Sequence, residues 1–172
     1  MSLLPTLALA AAVFTAGAAA ADPRDEARVR QIALGIPTNV DLRNFDAIQP
    51  LFADPVVIDY TSLWGGEPQT MRPAELMAAW RGIVPGFDAT WHEISDLQVK
   101  VTGDRATATS RVDGRHWLGE QVWRPVGRYD FQLARQGDAW KVTRMTLTVT
   151  EERGDRKLVD QARARAGKAA GE

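Results

Sequence analysis

The chain has 172 residues, 45% hydrophobic and 25% charged, a composition typical of one globular domain with a substantial core. Its formal net charge of -1 provides no basic field, so we expect neither a nucleic-acid partner nor binding to an anionic membrane surface. The absence of cysteine excludes disulfides, a thiol nucleophile and a thiolate metal site. The two histidines, His92 and His116, lie too far apart for a metal motif, and we expect no metal.

Residues 1–21 have the layout of a secretory signal peptide. MSLLPTLALAAAVFTAGAAAA has no charged side chain, contains an apolar run and ends in an alanine tract that offers A-x-A cleavage. The segment is too short and alanine-rich for a membrane span, so we expect a periplasmic or secreted mature chain with no membrane attachment. Because no Lys or Arg precedes the apolar run, an uncleaved anchor or a mis-assigned start is the alternative.

Helical patterns dominate the first part of the mature chain. DPRDEARVRQIALGI predicts a helix that begins at Pro23 and ends at residues 35–37, a Gly-Ile-Pro stretch. VDLRNFDAIQPLFAD predicts a second short helix with Leu42, Phe45 and Ile48 on one face. MRPAELMAAWRGIVPGF predicts a third helix.

Strand patterns dominate the second part. One predicted strand, PVVIDYTSL, precedes the third helix. Four more follow it: WHEISDLQVKV, RATATSRVDGRHW, GRYDFQLAR and AWKVTRMTLTV. Two of the connections between these four are short Gly-Asp turns, which are typical of antiparallel hairpins. Helices followed by such strands indicate an α+β domain over residues 22–152, in which a curved sheet and the helices enclose a pocket. Residues 153–172 are predicted to form a weakly helical tail that frays at its end.

Period-two alternation assigns side chains to the faces of the sheet. Tyr60, His92 and His116 all have the parity of the inward face. For His92 this requires a bulge between Ile94 and Leu97, because the apolar residues of WHEISDLQVKV change parity between these two positions. In the last strand Trp140, Val142 and Arg144 share one parity. The alternation thus directs both histidines toward the predicted pocket.

A buried histidine or arginine requires a partner, and Asp41 is a candidate for either. A carboxylate bonded to one imidazole nitrogen fixes the tautomer and increases the basicity of the other nitrogen. Asp41 and His92 would then form a general base, and Tyr60 would donate a hydrogen bond to a carbonyl or a leaving oxygen.

Each of these residues also has a purely structural interpretation. Asp41 would cap the second helix, Tyr60 would pack its ring, and His92 would be a hydrogen-bonded core residue. His116 would lie at the pocket rim or in solvent, and Arg144 would balance acidic residues on the sheet.

The order of these segments resembles the SnoaL-like branch of the nuclear transport factor 2-like superfamily. The similarity covers about Glu26 to Val149 and is carried by VDLRNFDAIQPLFADPVVIDYTS, FDATWHEI, GDRATATSRVDGRHW and GRYDFQLARQGDAWKVTRMTL. It implies a cone-shaped α+β fold, in which a curved antiparallel sheet and N-terminal helices surround one deep pocket. It also implies a homodimer that pairs through the exposed face of the sheet.

Scytalone dehydratase is the functional template within this superfamily. Its catalytic aspartate falls on Asp41, its substrate-binding tyrosine on Tyr60, and its two pocket histidines on His92 and His116. The resemblance therefore implies that these four residues are catalytic.

Other positions depart from this template or come from related enzymes. A second catalytic tyrosine would fall on Val40 and a pocket asparagine on or near Tyr129, which argues against the same substrate and leaves a related elimination open. A late-strand arginine of dehydratase and dehydrochlorinase relatives falls on Arg144. We expect Arg144, Tyr129 and Trp64 to contact the substrate.

Together these patterns predict a cofactor-independent dehydratase that removes water from a small, hydrophobic hydroxy-carbonyl compound. Within the same fold a cofactor-free isomerase is a second kind of enzyme to consider. The alternative from a different class is a non-catalytic module that binds a small ligand or takes part in assembly.

Overall fold

The structure is a computed structural model that describes residues 22–169 of the chain. The predicted signal peptide lies outside these residues, as do the last three residues of the tail, so cleavage, export and fraying of the end stay predictions. No helix in the described part of the chain has the length and apolarity needed to cross a membrane.

The predicted helices and strands occur in the predicted order, but residues 61–63, predicted to end the first strand, belong to a short helix, and the short strand Gln69–Met71 was not predicted. The helices are α1 (Pro23–Asp41), α2 (Phe45–Ile48), α3 (Thr61–Trp64), α4 (Pro73–Arg81) and α5 (Lys157–Ala169). The strands are β1 (Phe52–Asp59), β2 (Gln69–Met71), β3 (Ala89–Thr102), β4 (Arg105–Leu118), β5 (Gln121–Gln136) and β6 (Ala139–Arg153). Short 3-10 turns at Gln49–Leu51 and Val84–Gly86 follow α2 and α4.

These strands form one curved, open sheet in the order β2-β1-β6-β5-β4-β3. Short turns join β3 through β6, and consecutive strands joined in this way must run antiparallel. One pairing departs from the predicted antiparallel sheet, because β1 pairs with β6 in parallel. These two strands are not joined by a turn, so no hairpin dictates their relative direction. The predicted α+β cone is confirmed, as a mixed sheet with helices on its concave side.

Helix α1 runs six residues beyond Gly35, to Asp41, so the prediction that it ends at residues 35–37 is wrong. Pro37 is buried within the helix, where its missing N–H removes one backbone hydrogen bond. The side chains of Thr38 and Asn39 each donate to a backbone carbonyl four residues earlier, at 2.8 Å. The longer helix places Asp41 at its carboxyl end. It also leaves Leu42, predicted to share a helix face with Phe45 and Ile48, 71% exposed in the following turn, whereas the other two are buried.

The predicted bulge in β3 is confirmed. The pairing of β3 with β4 shifts register between Ser95 and Gln98, and Asp96 has a φ of 55° within this interval. One extra residue moves the following side chains to the opposite parity. His92 and Ile94 on one side of the bulge and Leu97 on the other therefore face the same interior.

A second irregularity, in β6, changes the position of Arg144. The register between β5 and β6 shifts after Val142, so Trp140 and Val142 face inward together with Met145 and Leu147. Arg144 lies on the outer face instead, so its predicted placement beside Trp140 and Val142 is wrong. The sequence has no glycine or proline at this point that would have marked the change of parity.

The C-terminal segment, predicted to be a weakly helical tail, is a helix that packs against the rest of the domain. Its buried residues are Leu158, Val159, Ala162 and Ala166. The backbone of α5 approaches Gly86 so closely that a Cβ atom there would lie 1.8 Å from the carbonyl oxygen of Ala162. Alanine and small side chains allow this approach, which propensity alone does not indicate. Helix α5 thus belongs to the folded domain.

Candidate active site

One large cavity, of about 330 Å³, lies between the concave face of the sheet and the helices. Residues from α1, α3, α4 and α5 and from all six strands line it, and most of their side chains are aliphatic or aromatic. A volume of this size accommodates a small organic molecule. The side chains among them that carry nitrogen or oxygen atoms are Tyr60, Trp64, Gln69, Trp80, His92, His116, Trp123, Tyr129 and Arg163.

Asp41 and His92 are in direct contact at the wall of this cavity. Asp41 Oδ1 lies 2.7 Å from His92 Nδ1, and both side chains are 11% exposed. The same carboxylate accepts a hydrogen bond from the backbone N–H of His92 at 2.7 Å and another from the Thr90 hydroxyl at 2.8 Å. The aspartate therefore fixes both the backbone and the ring of His92.

The position of Asp41 is unfavourable for helix stability. It is the last residue of α1, where the helix dipole disfavours a negative charge, and no basic residue occupies that turn. The N-cap of α2 is Asn44, so Asp41 does not cap the second helix. After Asp41 the chain turns at Arg43, which has a φ of 56° and donates to the carbonyl of Phe87 at 2.7 Å. This bond holds the end of α1 against the start of β3.

The electrostatics favour a carboxylate at Asp41. Burial by itself raises the pKa of this group, but the hydrogen bonds from the His92 ring and backbone and from Thr90 outweigh it, so that the pKa lies below its ordinary value. An ionised Asp41 favours the His92 tautomer that carries its proton on Nδ1. Nε2 of His92 makes no hydrogen bond within residues 22–169, and it is the nitrogen left to meet a ligand.

His116 is the second imidazole in the cavity wall. Its ring centroid lies 5.2 Å from that of His92 and 4.7 Å from that of Trp123, and Nδ1 is buried without a hydrogen-bond partner among the described residues. Burial, followed by the charge of nearby His92, lowers the pKa of His116 to about 3. His116 is therefore a neutral imidazole at physiological pH.

Gly114 makes room for both histidine rings and was missed by the sequence reasoning. It lies directly opposite His92 in the pairing of β3 with β4. A Cβ atom at this position would lie 3.3 Å from Cε1 of His116 and 3.4 Å from Cδ2 of His92. A glycine inside a strand, two residues before a histidine, was the available signal for such a close approach.

Two tyrosine hydroxyls also face the cavity. Tyr60 lies at the end of β1 and its hydroxyl contacts Sδ of Met145 at 3.8 Å, a weak acceptor. Tyr129 is buried in β5. Burial raises the pKa of both phenols, and the proximity of Tyr60 raises that of Tyr129 further. Both side chains are thus protonated donors throughout the neutral range.

Trp64 lines the mouth of the cavity. It belongs to α3 and is 46% exposed, with its ring 5.9 Å from that of Trp123 and the guanidinium of Arg156 5.6 Å above it. The aromatic wall at the mouth combines one solvent-exposed indole with one buried indole.

The structure does not bring Arg144 into the cavity, contrary to the expected substrate contact. Its Nη2 lies 2.5 Å from Oδ2 of Asp59, which has the outward parity of β1. The register shift between β5 and β6 explains why Arg144 lies on the outer face. The described residues also contain no cluster of three or more side chains that could hold a metal ion.

Comparisons with known proteins identify the family and the fold of the chain. Residues 22–146 match the SnoaL-like domain family. The uncharacterized protein Rv2910c of Mycobacterium tuberculosis is 25% identical over 138 residues, which cover 74% of this chain and 87% of that protein.

Solved structures resemble the whole domain. The Kfla4162 protein from Kribbella flavida has a TM-score of 0.73 and 28% identity, covering 83% of this chain and 99% of that one. A candidate scytalone dehydratase from Novosphingobium aromaticivorans has a TM-score of 0.67 and 17% identity, covering 77% and 89%. A hexachlorocyclohexane dehydrochlorinase from Novosphingobium barchaimii has a TM-score of 0.65 and 14% identity, covering 77% and 91%. At these identities the last two show a shared fold. The chain belongs to the SnoaL-like family and has the nuclear transport factor 2-like fold.

Proposed function

We propose that the protein is a cofactor-independent dehydratase that acts on a small, mostly apolar hydroxy-carbonyl compound. The observation that carries the proposal is the 2.7 Å contact between Asp41 and Nδ1 of His92 at the wall of an apolar cavity. This carboxylate accepts three hydrogen bonds at the carboxyl end of a helix, where the helix dipole disfavours its charge. It orients one imidazole nitrogen toward the cavity, as a general base requires.

In the proposed reaction, Nε2 of His92 removes a proton from the carbon next to the substrate carbonyl. The C–H electron pair moves toward the carbonyl, whose oxygen gains negative charge and accepts hydrogen bonds from Tyr60 and Tyr129. Their raised pKa values keep these phenols protonated, so they donate hydrogen bonds without losing their protons.

The second half of the reaction breaks the bond between the β-carbon and its hydroxyl group. The electron pair returns to form the carbon–carbon double bond, and the departing hydroxide takes a proton to become water. Among the described residues lining the cavity, the low pKa of His116 and the high pKa values of the tyrosines make them poor sources of that proton. Protonated His92 supplies it, so proton removal and departure of water occur on the same face of the substrate.

A screen of β-hydroxy ketones and aldehydes with one or two rings would test the proposal. Elimination is followed by the absorbance of the conjugated product, and exchange of the α-hydrogen in D₂O detects proton removal alone. We expect His92→Gln to lower turnover by about 10²–10⁴-fold, the contribution of a general base. Glu93→Gln is the matched control, since this neighbour points to the outer face and bonds to Arg115.

Equal activity in wild type and His92→Gln would refute the proposed role of the imidazole. A wild-type protein that binds these compounds and neither eliminates water nor exchanges the α-hydrogen would instead favour the non-catalytic binding module. Exchange and double-bond migration without loss of water would indicate an isomerase.

The homodimer implied by the family resemblance is also part of the proposal. Trp91 on β3 is 54% exposed and has the outward parity of the strand, as an interface residue on the exposed face of the sheet would require.

A further inference from the structure

Helix α5 contributes a cation to the cavity. Val159 and Arg163 are one helical turn apart and both line the cavity. Val159 is buried, whereas the side chain of Arg163 is 57% exposed. The aliphatic stem of Arg163 therefore lies along the apolar wall while its guanidinium reaches solvent at the mouth.

Arg163 is the only Lys or Arg among the described residues that line the cavity. Its ion-pair partner is Asp160, three residues earlier on the helix, with Nη1 3.3 Å from Oδ1. That carboxylate is 78% exposed, and an exposed pair of this kind is weak. The guanidinium remains available to an anion that enters the mouth.

The other arginine near the mouth is not available in this way. Arg156 stacks over Trp64 and bonds to both carboxylate oxygens of Glu152. Glu152 in turn accepts a hydrogen bond from the indole N–H of Trp123 at 2.6 Å. The charge of Arg156 is therefore neutralised, and Arg163 provides the positive potential at the mouth.

The cavity wall at His92 carries the opposite charge. Asp41 lies behind His92 and is held in its ionised form by its hydrogen bonds. An acidic group placed beside His92 would be repelled by this carboxylate. An acidic group of a ligand is thus attracted toward Arg163 and repelled from the wall at His92.

We propose that the substrates are acidic: hydroxy-carbonyl compounds whose carboxylate pairs with Arg163 at the mouth of the cavity. The inference rests on the proposed function, because the dyad defines the end where the carbonyl reacts. Arg163 is a specificity-determining residue and takes no part in the chemistry. It lies beyond residue 146, where the family match ends, so a segment outside the matched domain supplies this specificity.

Binding of a matched pair of unreactive probes tests the inference. 2-Naphthoate and 2-naphthamide have nearly the same shape and differ in charge, and the tryptophans that line the cavity report their binding through fluorescence. We expect wild type at pH 7.5 to bind the carboxylate about tenfold more tightly than the amide, equivalent to about 1.4 kcal/mol. The preference should decrease as salt is added.

Two variants of helix α5 test whether Arg163 causes the preference for naphthoate. Arg163→Gln should reduce the ratio of the two dissociation constants to about one, mainly by weakening naphthoate binding. Lys168→Gln removes the same charge from an exposed position of α5 that does not line the cavity, and it should retain the preference. No preference in wild type, or a preference that survives Arg163→Gln, would overturn the inference.

The same measurement separates this inference from the proposed function. His92→Gln should lack turnover and keep the preference for naphthoate. If the preference depends on Arg163 but wild type shows no turnover, the proposed reaction fails and the anion site stands. If wild type turns over neutral compounds and shows no preference between the probes, the reaction stands and the anion site fails.

Discussion

Replacing Asp41 with asparagine separates the orienting charge of this side chain from its size. The carboxylate accepts three hydrogen bonds, from the Thr90 hydroxyl and from the backbone and ring of His92, at 2.7–2.8 Å. An asparagine amide has one oxygen to accept and an NH₂ group that donates. Its NH₂ group would face Nδ1 of His92, which must then accept, so the ring proton moves to Nε2. The nitrogen that faces the cavity would no longer be a base.

The expected magnitudes follow from these bonds. Asparagine loses the hydrogen bonds that the charged carboxylate accepts at this partly buried site, and this loss lowers the free energy of unfolding by about 1–3 kcal/mol. Turnover of any substrate that the dyad transforms falls by about 10²–10⁴-fold, since the base is lost. Because the pKa of Asp41 is lowered in the folded state, its stabilising contribution is present above the ordinary value of 3.8 and is lost as the pH falls further. The stability difference between wild type and variant should therefore shrink below about pH 4.

Long-range ¹H–¹⁵N correlation spectra provide an assay that needs no substrate. The sequence contains only two histidines, so both rings can be assigned from the Asp41→Asn and His116→Leu variants. Above pH 8, wild-type His92 should carry its proton on Nδ1, and Asp41→Asn should carry it on Nε2. The same tautomer in both proteins, or Nε2–H already in wild type, would refute the orienting role of Asp41.

Two further predictions concern stability. The pKa of His116 falls from 6.5 to about 3 on folding, so the unfolded chain alone takes up this proton as the pH decreases between these values. Between pH 7 and pH 4.5 the free energy of unfolding of wild type should fall by about 3 kcal/mol through this group. Urea titrations of His116→Leu should lack this part of the pH dependence, and the same pH dependence in both proteins would contradict the prediction. Gly86→Ala should destabilise by about 1–3 kcal/mol, since the added methyl group meets the backbone of α5. Gly167→Ala, in open space within α5, should instead stabilise by about 0.5–1 kcal/mol in thermal unfolding, and unchanged stability of Gly86→Ala would contradict the close packing at Gly86.

The sequence by itself determined the features that depend on local periodicity. Alternation along β3, with the bulge near Asp96, correctly directed His92 toward the interior, and the same parity argument placed Tyr60 and His116 there. Turn residues predicted the hairpins that join β3 to β4 and β5 to β6. These signals are strong because the side-chain period and the turn geometry are properties of a few consecutive residues.

Tertiary structure alone decided where distant segments meet. Asp41 and His92 are 51 positions apart, and their contact depends on α1 continuing through Pro37 and packing against β3. Arg144 has inward parity in an uninterrupted strand, and only the register with β5 turns it outward. The position of Arg163 at the cavity depends on α5 docking against Gly86. Local propensity does not encode these outcomes, because each results from the close packing of surfaces that are remote in the chain.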